Sequence, residues 1–193
     1  PSIVVGEGER GFYTGKCFGF YMFLRGFALA KKAGAKKMRV AINPASEINL
    51  LPIDQLLLLI DRIREKGAPG FVHATLDNGV TVGHMMGVIG KIYGFPIEEG
   101  KPRSIPEHLF DRQVAANMAF ANTTFKFNNL TAKNLVPERN WVDMNAQSFE
   151  RVVRQSKALY FQQARFEKSD LSMLPQLLPS PVRKVLRKIP RMK

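Results

Sequence analysis

The alternation of apolar and polar positions divides this chain into helical and strand-like stretches. From Gly11 to Ala33 the sequence reads GFYTGKCFGFYMFLRGFALAKKA, and Gly11, Gly15, Gly19, Gly26, Ala30 and Ala33 fall on one side of a helix, with Met22 between them. Phe12, Tyr13, Phe18, Phe20, Tyr21, Phe23 and Phe27 occupy the other sides. Small residues at such steps let another helix backbone approach closely. Lys37 to Ile42 reads as a strand, and IDQLLLLIDRIREK as a helix that Asn49 can cap, with Pro52 in its first turn and Gly67 and Pro69 to stop it. The continuous run Leu56–Ile60 implies burial on more than one side.

Further along, Phe71–Leu76 and Val80–Met85 flank Asp77-Asn78-Gly79, a strong hairpin signal because Asn and Gly tolerate a tight turn. The resulting ladder would set His73 opposite His84. Gly83, Gly87, Gly90 and Gly94 then recur through GHMMGVIGKIYG, either as a second small-residue groove or, the reading favoured here, as a strand leading into a glycine-weakened helix. Ser104-Ile105-Pro106-Glu107 is a capping box opening a helix with Phe110, Val114, Met118 and Ala121 on one side. Asn122 to Pro137 looks irregular, with Phe125 and Phe127 docking on the body and Trp141 anchoring the next segment. Asn145 can cap a long helix whose apolar side is Phe149, Val152, Val153, Ser156, Tyr160 and Ala164. These elements predict an α+β, mainly helical fold. It comprises a long glycine-stepped N-terminal helix (1–36), a small hairpin-containing core (37–123), and an extended arm with a long helix and basic tail (124–193).

Charge changes the picture. The net charge is +13, with an isoelectric point near 10.1. Lys31, Lys32, Lys36, Lys37 and Arg39 form one basic cluster. The region from Phe149 to Lys193, with eleven Lys or Arg against three Asp or Glu, carries the rest of the excess. Within it SPVRKVLRKI opposes Val182, Val185, Leu186 and Ile189 to Arg183, Lys184, Arg187 and Lys188. Such clusters meet phospholipid, RNA or acidic subunits. Only 23% of residues are charged and mean hydropathy is −0.14, which tilts the choice toward a membrane-bound assembly rather than a protein threaded through RNA. About 20 residues from Gly11 to Ala30 would reach roughly 30 Å, the span of a bilayer core. Lys16 and Arg25 oppose insertion but lie away from the midpoint. Pro1 to Arg10 shows no secretory signal, and a removed organellar presequence is compatible with the chain.

Candidate chemistry is sparse. Gly6-Glu7-Gly8-Glu9-Arg10-Gly11 follows a strand-like run as G-x-G-x-x-G, the dinucleotide fingerprint, yet Asn43 stands where an acid should hold the ribose. Gly11–Lys16 is one residue short of a phosphate loop, and Cys17 replaces its Ser or Thr. His73 and His84 are weak metal candidates, since neither His108 nor Cys17 completes a diagnostic spacing. Cys17 is the lone cysteine and can form no intrachain disulfide. No Ser–His–Asp or Cys–His set stands out, and Asp54 and Asp61 read as surface charges, so neither catalytic residues nor a cofactor is expected.

Gly11 to Arg25 resembles the short G-x-x-x-G helices of small membrane subunits in mitochondrial ATP synthase dimers. The expectation is therefore a non-catalytic structural accessory subunit of a mitochondrial inner-membrane assembly, a respiratory complex or ATP synthase. Gly11, Gly15, Gly19, Gly26 and Ala30 would pack against another subunit. Lys31, Lys32, Lys36, Lys37, Arg39, Arg183, Lys184, Arg187 and Lys188 would contact anionic phospholipid or RNA. The alternatives are an RNA-binding organellar ribosomal protein and a soluble nucleotide-binding enzyme.

Overall fold

The computed structural model describes residues 2–11, 19–67, 70–136, 144 and 146–163. Its order is β1 (Ile3–Val5), α1 (Phe20–Lys32), β2 (Met38–Val40), β3 (Glu47–Ile48), β4 (Leu50–Pro52), α2 (Ile53–Lys66), β5 (Val80–Thr81), α3 (Val82–Tyr93), β6 (Ile97–Glu99), α4 (Ile105–Ala121), α5 (Leu130–Leu135) and α6 (Ala146–Gln163). The fold is mixed α+β and mainly helical. Its strands are short and paired in twos. β1 runs parallel to β4 with Ile3 beside Leu50, β2 parallel to β6 with Met38 beside Ile97, and β3 antiparallel to β5 with Glu47 beside Thr81.

α1 is the central helix, packed against α4, α6 and α3. Leu24 and Ala28 are wholly buried, and its aromatics pack on rings of the surrounding helices. Phe20 meets Phe149, Tyr21 meets Tyr160, and Phe27 stacks on Phe110 with centroids 4.4 Å apart. Each such ring, once buried, contributes about 1.5–3 kcal/mol. Tyr93 adds a directional link by donating from its hydroxyl to the Leu24 carbonyl at 3.0 Å. The helix ends where Gly34 adopts φ 81, a left-handed turn natural to glycine.

This arrangement corrects the N-terminal expectation. Among the described residues no helix is long and apolar enough to cross a membrane. The small-residue stripe is not one helical side: Gly11 has φ 68 and precedes α1, Gly19 is its N-cap, and only Gly26 and Ala30 lie within it. Gly15, Lys16 and Cys17 lie outside the described residues, as do Trp141, Asn145, Ala164 and the basic tail with Arg183, Lys184, Arg187 and Lys188.

The hairpin is also corrected. β5 pairs with β3, and Val82 to Tyr93 is helical from its first residue because Thr81 caps it, its Oγ1 accepting from the His84 amide. His84 thus stands in the first turn of α3 near Phe149, while His73 lies in a loop against Phe127 with Nδ1 3.2 Å from the Asn128 carbonyl. They are not cross-strand partners. α2 begins as its pattern predicts, but Pro52 rather than Asn49 occupies the N-cap. Asn49 instead ties loops together, donating to the Leu76 carbonyl and accepting from the Leu76 amide. α4 starts at the predicted capping box, where Glu107 accepts from the Ser104 amide at 2.8 Å. Phe125 and Phe127 rest only partly on the body, Phe125 against Phe120 and Phe127 against His73; both are about half exposed and stack on each other at a 12° tilt.

Candidate functional site

Three helices contribute apolar faces that do not quite close on one another. From α1 come Phe20, Phe23 and Phe27, at helical steps of three and four. α3 supplies Val82, Met85, Met86 and Ile89, again one stripe, and α4 supplies Asn117, Phe120 and Ala121. Ile3 of β1, Ile48 of β3, Gly19 and Ile42 complete the wall. Between them lies a cavity of about 300 Å³. It adjoins an outer trough of about 800 Å³, and the two share Ile3, Gly19, Ile48 and Phe120. Asn49 and Thr123 bring polar groups to that trough, while Phe125 and Phe127 form its aromatic rim.

In the inner cavity Asn117 is the one polar side chain among the described lining residues. Its Nδ2 donates to the Met22 sulfur at 3.5 Å, a weak acceptor. The two methionines in the wall are flexible and polarizable, so the chamber can adjust to the shape of an apolar guest. No local motif in the sequence marks this site. The signal available was Asn117 itself, three residues after Val114 and four before Ala121 on the apolar side of α4.

The glycine loop of the dinucleotide fingerprint sits elsewhere and is already engaged. The Gly6 amide donates to the Tyr21 hydroxyl at 2.7 Å, the Gly8 amide to Asp54 Oδ1 at 3.1 Å, and the Gly11 amide to the Glu7 carbonyl at 2.7 Å. A phosphate cradle needs such amides aimed at the ligand. Here one of them faces a carboxylate, which would repel the anion. Arg151 Nη2 donates to the Gly8 carbonyl at 3.1 Å, and a Cβ on Gly11 would lie 2.7 Å from the Arg151 and Val152 backbone. The loop seats α6. These residues do not fit a pyrophosphate.

The basic cluster from the last turn of α1 to β2 is largely occupied within the chain. Lys31 donates to the Gly94 carbonyl and lies over the Phe95 ring, Lys37 pairs with Glu98 at 3.3 Å, and Arg39 pairs with buried Glu107 at 3.1 Å. Lys32 and Lys36 are exposed. Gly26 receives Phe110 of α4, and a void of only about 10 Å³ remains beside it.

No family model matches the sequence, and no curated protein matches it. The fold is similar to that of RMD from Pseudomonas aeruginosa complexed with NADPH, with a TM-score of 0.51 and 11% identity over 81% of this chain and 46% of that one. The chain thus spans about half the length of that protein. This result overturns the expectation of an accessory membrane-assembly subunit. The fold is shared with a protein that holds NADPH, and the helix assigned to bilayer or partner is enclosed by its own chain.

Proposed function

We propose that this chain serves a nicotinamide-nucleotide-dependent protein as the part that receives the substrate, and that the cavity between α1, α3 and α4 takes up an apolar group of it. The lining of that cavity carries the proposal: among its described residues a single polar side chain interrupts walls of Phe, Met, Ile and Val. Small-molecule sites usually have this form, about 300–1,000 Å³ with apolar walls and few polar groups. At about 0.8 kcal/mol per buried methylene, a six-carbon fragment would gain about 5 kcal/mol before ordering costs. The fold likeness to an NADPH complex supports the nucleotide side of the proposal. The engaged amides of Gly6, Gly8 and Gly11 lead us to place the pyrophosphate away from that loop.

The test is a titration of the full protein with N-phenyl-1-naphthylamine, an uncharged apolar fluorophore that brightens out of water. We expect saturable binding at one site. Ile48→Trp, which adds bulk where the cavity meets the trough, should weaken it at least tenfold with unchanged circular dichroism. Absence of saturable binding, or equal affinity in the variant, would reject the proposal.

A further inference from the structure

Resting on that reading of the cavity, we infer that its occupant is an apolar molecule bearing a hydroxyl group, and that Asn117 is the residue that selects for it. The apolar walls can hold any hydrocarbon of the right size, so they cannot explain a preference by themselves. Asn117 can. A carboxamide offers two N–H donors and a carbonyl acceptor. Among the described residues its side chain makes one hydrogen bond, through Nδ2 to the Met22 sulfur. One N–H and the Oδ1 acceptor have no other partner among the described residues, and the half-buried side chain lines the chamber. A hydroxyl is the smallest group that uses both at once, accepting from Nδ2 and donating to Oδ1. A ketone or ether would use only the donor, and a hydrocarbon would use neither and desolvate the amide without recompense. The position on α4 is consistent with this role, because Val114 and Ala121 on the same side are buried against the core and hold the helix rigidly beside the cavity. Asn117 would act as a specificity-determining contact.

The experiment compares hexan-1-ol with heptane, in which a methyl group replaces the hydroxyl, as displacers of bound N-phenyl-1-naphthylamine from the full protein. The preference of the wild type, divided by that of Asn117→Leu, removes the intrinsic difference in hydration between the two molecules. A ratio of about tenfold in favour of the alcohol is expected, the worth of a retained hydrogen bond. Heptane binding that persists in Asn117→Leu shows that the cavity still stands. Should that variant lose heptane as well, Asn117→Ala, which removes the amide without adding bulk, gives the decision by the same ratio. A preference unchanged by removing the amide overturns the selective role of Asn117 while leaving the cavity reading intact. Failure of both molecules to displace the probe from the wild type, or equal displacement from Ile48→Trp, rejects the cavity reading and this inference with it.

Discussion

Glu107 shows what one buried carboxylate can hold in place. It is 1% exposed and accepts five hydrogen bonds: from the Arg39 amide, Nε and Nη2, and from the Arg103 and Ser104 amides. Burial pushes its pKa up, but the Arg39 guanidinium and the three amides outweigh that and hold it at about 2. A carboxylate whose folded pKa lies below its unfolded value stabilises the protein fully above the unfolded pKa. That contribution should fade as pH falls from about 5 toward 2. Glu107→Gln leaves the Arg39 charge without its counterion and should cost about 3 kcal/mol at pH 7 in urea unfolding. The gap between wild type and variant should shrink steadily in the same measurement toward pH 3. Half of this knot is visible in the sequence: Ser104 and Glu107 stand three apart, and the capping box is a local rule. The other half is not, since Arg39 is 68 residues away and reads there as one more charge in a basic cluster.

Elements with a clear period are legible for the same reason, and their surroundings are not. α2, α4 and α6 follow from apolar spacing, helped by the stop signals of α2 and the capping box of α4. α1 is helical as its spacing predicts, yet the sequence cannot distinguish a lipid tail from the ring of another helix as the partner of Phe23 or Phe27. α3 follows a strand as the favoured reading of its glycines has it, but its first turn is hidden by Asp77-Asn78-Gly79, whose turn chemistry suits a hairpin. The cap at Thr81 and the strand partner Glu47–Ile48 decide otherwise. Two glycines test these packings. Gly26→Ala would improve helix propensity by about 1 kcal/mol but push a Cβ to 2.8 Å from Phe110, a buried ring stacked on Phe27. The crowding should win, for a net loss of about 1–2 kcal/mol in thermal or urea unfolding. Gly11→Ala meets both a left-handed φ of 68 and the backbone of α6 at 2.7 Å. It should cost about 3 kcal/mol. Faster amide exchange at Val152 and Val153 would locate the damage on α6.

At the scale of the whole molecule, the cavity could not be read from the sequence because it exists only when Phe20, Met86 and Ala121 converge from three separate helices. The same small and aromatic residues that suggest a membrane groove suit a protein core equally well, and chain order alone does not say which forms. Conversely, the glycine fingerprint is present as a string of letters and absent as a cradle, because Asp54 and Arg151 come from distant elements to occupy it. Gly8→Ala separates the string from the geometry. A Cβ at this position would lie 3.6 Å from Pro52, an ordinary contact, and the amide would still donate to Asp54. If the loop held a pyrophosphate, a methyl group at the second glycine would block the close approach on which such loops depend. With the loop instead seating α6, NADPH affinity of the full protein, measured by titration calorimetry, should stay within about twofold of wild type. A loss of tenfold or more would return the nucleotide to the Gly6–Gly11 loop, since the substitution disturbs no other contact there.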